Sequence, residues 1–135
     1  MLLRLFPVVI LLFSKSLFAY ESPIEIIEYI DNVKVVAFIS KADIKDTPAW
    51  SPFKSKPPLS IEKALNKVKL FLHKNDLQNI TMHEIELKRV PHHNESWHYL
   101  VKLSYKLNSE VHNHYFVVLM SGKVIAALKE PESIK

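Results

Sequence analysis

Cysteine is absent from this chain, and glycine occurs once in 135 residues. The first absence excludes a disulfide framework, a thiol nucleophile and a lipid-anchored N-terminal cysteine. The second leaves Gly122 alone, so there is no glycine-rich phosphate loop and no Gly-x-Ser-x-Gly elbow. His-Glu-x-x-His and catalytic carboxylate spacings are missing too, and the sequence is read as that of a protein that is not an enzyme. A strong excess of one charge is also lacking. With the first 19 residues set aside, 16 basic residues face 14 acidic ones. That is no concentrated basic footprint, and nucleic acid is not an expected partner.

Long hydrophobic runs are scarce as well. Residues 5–13 are apolar, but a membrane span needs about 20 such residues. Arg4 precedes the run, Ser14 and Lys15 end it, and Ala19 supplies a small residue, which is the order of an export signal. The expectation is a signal peptide over 1–19, with cleavage after Ala19 or after Ser16, and no stable membrane anchor once it is removed. Export without disulfides fits a bacterial periplasm or medium. Residues 20–135 amount to one domain, which packing alone must hold together.

Within that domain, 97–107 is the organising stretch. Trp97, Tyr99, Val101, Leu103, Tyr105 and Leu107 alternate with His98, Leu100, Lys102, Ser104 and Lys106, a period of two that predicts a strand. Residues 60–74 predict a helix: Ile61, Ala64, Leu65, Val68, Phe71 and Leu72 share one face, and Ser60 is a suitable N-cap after the prolines. Lys63, Lys67 and Lys74 fall on the opposite side, as a solvated face. Residues 80–90 predict a strand whose apolar parity changes, from Ile80 and Met82 to Ile85 and Leu87. A one-residue bulge near His83 and Glu84 would restore a common side. Residues 91–95 and 108–113 are read as turns.

In 114–120 both parities are apolar, as in a strand covered on two sides. Ser121 and Gly122 turn the chain into a last strand over 123–128, and 129–135 is read as a tail. At the other end, Ile24 to Ile30 and Val33 to Ile39 flank Asp31-Asn32, which suits a hairpin. A rival is a helix opened by the capping box Ser22-Pro23-Ile24-Glu25. Pro48, Pro52, Pro57 and Pro58 make 47–59 an extended connector, with Trp50 and Phe53 read as its anchors or as a patch for a partner. The expected fold is therefore α+β: one amphipathic helix on an antiparallel meander, with an N-terminal β-hairpin (20–46) joined by the proline-rich connector.

The helix at 61–72, the strand around Ile85 and Leu87, Trp97-His98-Tyr99-Leu100-Val101, and 117–125 with Gly122-Lys123 at its turn together resemble a PepSY-type domain. That family is found in propeptides of secreted metallopeptidases and in exported bacterial proteins. The resemblance covers 58–128 and implies a helix on an antiparallel sheet, and a role in restraining a peptidase or binding another protein of the cell envelope or medium. It supplies no catalytic set and no cofactor, and a ligand-free structural accessory domain is the alternative to a binding role. The working surface is expected on the second side of the sheet, at Leu100 and one parity of Phe116, Val118 and Met120, because an uncovered apolar patch marks a partner site.

Seven histidines are the compositional oddity. His92, His93 and His98 form one group, and His112 and His114 another, either of which suits weak copper or zinc binding. A central strand about 30 Å long separates them, so one joint site is not expected. For acid–base chemistry the candidates are His98 and the neighbours His83 and Glu84, which point to opposite faces unless a bulge intervenes.

Overall fold

The computed structural model describes residues 22–129. The expected signal peptide and residues 130–135 of the expected tail lie outside them. Three layers make the fold. A four-stranded antiparallel sheet lies in the middle, one helix covers part of one face, and a three-stranded sheet covers the other.

The N-terminal hairpin is β1 (Ile24–Ile30) and β2 (Val33–Ile39), paired from Ile24↔Ile39 to Ile30↔Val33. Asp31 and Asn32 take φ of 51° and 63° in its two-residue turn, the left-handed backbone that such side chains tolerate. The rival N-terminal helix is not formed. A five-residue helix, α1 (Lys41–Lys45), follows, which the hairpin reading did not anticipate. Ser40 caps it by accepting from the Asp43 N–H at 3.1 Å.

Residues 46–60 contain no strand and no α-helix. Helix α2 (Ile61–Lys74) starts where the Ser60 hydroxyl accepts from the Lys63 N–H at 3.2 Å. Ala64, Val68 and Leu72 are its buried residues.

The central sheet is β3 (Gln78–Val90), β4 (His93–Leu107), β5 (Glu110–Leu119) and β6 (Val124–Ala126), side by side in chain order. The turns between the long strands are tighter than expected. Pro91-His92 and Asn108-Ser109 suffice, with φ of 63° at His92 and of 52° and 67° at Asn108 and Ser109. In β3 the register slips between Met82 and Glu84, which is the expected bulge, and again between Gln78 and Thr81 and between Arg89 and Val90.

Gly122 turns the chain at φ 90°. A methyl group there would meet the Lys67 side chain at 3.3 Å. The last expected strand is split in two. Beyond Ala126 the chain steps out of the central sheet at buried Ala127, and β7 (Leu128–Lys129) pairs with β2.

Both faces of the central sheet therefore carry a layer. Toward the hairpin, Leu100, Tyr115, Val117 and Leu119 pack with Ile26, Val35, Ala37 and Ile39. Toward α2, Tyr99, Val101, Leu103, Phe116, Val118 and Met120 pack with Ala64, Val68 and Leu72. This corrects the expected partner surface. Leu100 is buried by the hairpin, and Phe116, Val118 and Met120 by the helix side, so none of the four is accessible.

Two buried tyrosines tie the layers. The Tyr115 hydroxyl shares its one proton between the carbonyl oxygens of Ile26 at 2.5 Å and Val35 at 2.9 Å, one in each hairpin strand, and burial pushes its pKa up to about 12. The Tyr99 hydroxyl donates to the Leu59 carbonyl at 2.6 Å and holds the chain just before α2.

Candidate functional site: an open apolar trough beside the outer strand

A helix is about 10 Å across, whereas four strands spaced about 4.8 Å apart make a wider floor. Helix α2 sits toward β5 and β6, with Phe71 edge-on to Phe116 at 5.5 Å and Lys67 over Gly122. The outer strand β3 is left without a roof. The bulge at His83 turns Ile80, Met82, Ile85 and Leu87 all toward the helix side, where the cross-strand partners of Met82, Ile85 and Leu87 are Leu103, Val101 and Tyr99.

Two apolar hollows result between α2 and β3. One, about 500 Å³, is lined by Lys56, Pro57, Ile61, Ile85, Leu87 and Tyr99 among others. The other, about 260 Å³, is lined by Leu65, Val68, Leu72, Ile80, Met82 and Leu103, with Lys69 at its rim. Ile61 is 53% exposed on the helix wall. The outer edge of β3 pairs with no strand among the described residues.

The opposite side of β3 is charged. Lys88 Nζ lies 2.9 Å from Glu86 and 3.3 Å from Glu28 of the hairpin, and Lys102 lies 3.4 Å from Glu28. Glu84 and Glu86 share a hydrogen bond that raises the pKa of Glu84 and lowers that of Glu86. These groups are partly solvated, so each pair contributes little to stability.

The aromatic residues of the connector part company. Trp50 is buried edge-on against Trp97 at 5.2 Å, and its Nε1 donates to the Ser55 carbonyl at 3.0 Å. Arg89 covers the Trp97 ring at 5.2 Å. Trp50 is thus buried as the anchor of the connector. Phe53 is fully exposed and adopts φ 72°, a strained backbone for a bulky residue. Of the six partner residues expected from sequence, Phe53 alone is accessible.

The histidines do not converge. His92 lies in the turn before β4 and His93 at its start, and His112 is paired with Tyr105 near its far end. His112 and His114 stack on aromatic rings, at 5.6 Å from Tyr105 and 5.0 Å from Phe116 respectively. His98 belongs to neither group: even-numbered positions of β4 face the hairpin, the residue is 1% exposed, and neither ring nitrogen has a partner among the described residues. Burial, with the Lys88 charge adding to it, pushes its pKa down to about 4. Among the described residues no three His, Cys, Asp or Glu side chains are placed to hold a metal ion.

The bulge gives His83 a partner other than Glu84. Its Nε2 lies 2.9 Å from the Ser104 hydroxyl, but Ser104 is only 8% exposed.

Comparison with known proteins returned no matching family model, curated protein or solved structure. No helix among the described residues is long and apolar enough to cross a membrane. The trough was missed from sequence because the parity of β3 reveals its apolar side, whereas the reach of α2 across the sheet is a tertiary property.

Proposed function

We propose that this protein is an exported, non-catalytic binding module that acts on a protein partner in the cell envelope or medium, possessing the inhibitory or partner-binding role that the PepSY-type resemblance implies. The partner would meet the trough between α2 and β3. The observation that carries this reading is the exposure of Ile61, Met82 and Leu87 around hollows whose floor is apolar, because contiguous bare apolar surface marks an interaction site. Phe53 supports it. Left-handed backbone at a bulky residue costs about 1–2 kcal/mol, no packing of the solvent-facing ring offsets that, and such strain concentrates at functional segments.

The test is affinity capture from the envelope fraction of cells that make the protein, with wild type compared against Ile85→Ser/Leu87→Ser. Loss of the captured protein in the double variant, with thermal stability kept, is expected. Undiminished capture overturns the reading.

A further inference from the structure

The outer edge of β3 is self-complementary in one register, and we propose that two copies of this chain pair there as antiparallel strands, joining their troughs into one trench. This rests on the trough being a working surface only for the use of the trench; the pairing itself is independent of it.

A free strand edge offers main-chain donors and acceptors to another strand. Bulges at 78–81, 82–84 and 89–90 disrupt most of β3, which blunts pairing there. The regular window is 84–89, with the sequence Glu84-Ile85-Glu86-Leu87-Lys88-Arg89. Residues directly opposite in an antiparallel pair share a face, so a two-fold axis must pass midway between one residue and its own copy.

Charge selects among the possible centres. Centring on Ile85 sets Glu84 against Glu86 twice, and centring on Lys88 sets lysine against lysine; centring on Glu86 sets Glu84 against Lys88 twice but places Glu86 against itself at the axis. Like charges placed opposite one another are destabilising. Centring on Leu87 sets Glu86 against Lys88 of the second copy on both sides of the axis, Leu87 against Leu87, and Ile85 against the aliphatic stem of Arg89.

The pairing then relieves two features of the single chain. Glu84 and Glu86 are crowded carboxyls, and the second copy's Lys88 joins Lys88 and Lys102 of the same chain beside Glu86. Leu87, 38% exposed, gains an apolar neighbour. Helix α2 carries four lysines and one acidic residue, but it sits toward β5 and β6, and several strand spacings separate the two helices, beyond the screening length of about 8 Å at physiological salt. Lys56 of the connector lines the hollow beside Leu87 and is the lysine of that segment placed nearest the axis.

The test is sedimentation equilibrium of the full chain without its leader, from 5 to 500 µM. Wild type is expected to shift from monomer to dimer across that range. Glu86→Lys alone and Lys88→Glu alone should each stay at least tenfold more monomeric, since each sets like charges opposite. An equimolar mixture of the two variants restores both opposite-charge contacts and should dimerise as wild type does or more tightly, which also shows that both variants fold. A wild type that stays monomeric throughout, or a mixture no more associated than its components, overturns the proposal. Neither result bears on whether the trough captures another protein.

Discussion

The two faces of the central sheet begin from the same kind of sequence and end differently. Toward the hairpin, three strands are laid over the sheet, Tyr115 bonds to both hairpin strands, and β7 extends the cover. Toward α2, a single helix covers one part of the sheet and leaves β3 bare. A sheet can be sealed by a sheet, because strand spacings match; a lone helix is too narrow to seal four strands. The open strip is therefore a consequence of the layer order, and it leaves Ile61, Met82 and Leu87 exposed; Ile27, Tyr29, Phe38 and Leu128 of the outer hairpin layer are exposed as well.

Truncation separates the faces most sharply. Leu100→Ala should cost about 2–5 kcal/mol, as deletions in a closed core do, and Leu87→Ala less than about 1 kcal/mol, because Leu87 already meets solvent. Urea unfolding of the pair checks this, and equal losses would remove the distinction. Acid should also act on the sealed side. His98 titrates near its ordinary 6.5 when unfolded and near 4 when folded, so the unfolded chain takes up the extra proton between those values. Stability falls as pH drops from 6.5 toward 4 and then levels, by on the order of 3 kcal/mol. Measured in His98→Leu, that component of the pH dependence should vanish, and stability at pH 7 should hold or rise because two unpartnered ring nitrogens are gone.

Smaller effects refine the comparison. Tyr115→Phe removes the bond from β5 to the hairpin carbonyls and should cost about 1–2 kcal/mol, seen as faster hydrogen exchange at β1 and β2. Asp43, held below the usual carboxylate range by the Lys123 ammonium 2.7 Å away, contributes stability present above the unfolded carboxyl pKa and lost as pH falls through the lowered folded one. Phe53→Asn should leave stability unchanged or raise it by less than about 1 kcal/mol, since asparagine tolerates left-handed backbone, and it should weaken capture of the partner.

Much of this arrangement was legible in the chain. Alternation in 97–107, the doubled parity of 114–120, the Asp31-Asn32 turn, the parity change in 80–90 and the lone glycine each correspond to a formed element, because each is set by local backbone geometry or by a two-sided environment. The α+β class followed from them. What was not legible depends on distance across the fold. Leu128 and Lys129 are too short a segment to announce that they leave one sheet for the other. Leu100 and Phe116 read as equally apolar whether bare or covered, and only the placement of the hairpin and the helix decides. Trp50 and Phe53 sit in the same proline-rich setting, yet Trp97 is within reach of one and not the other. His98 reads as polar and is buried, a conflict between residue type and environment that alternation alone does not reveal.

The most direct test places a photo-cross-linking side chain on each exposed face in turn, at Leu87 in the trough and at Phe38, 42% exposed on the outer hairpin layer, in cells that make the protein. Cross-links to another protein from position 87 and none from position 38 are the expected result. Cross-links from 38 alone, or none from 87 while the protein is folded and present, would contradict an open working surface beside β3.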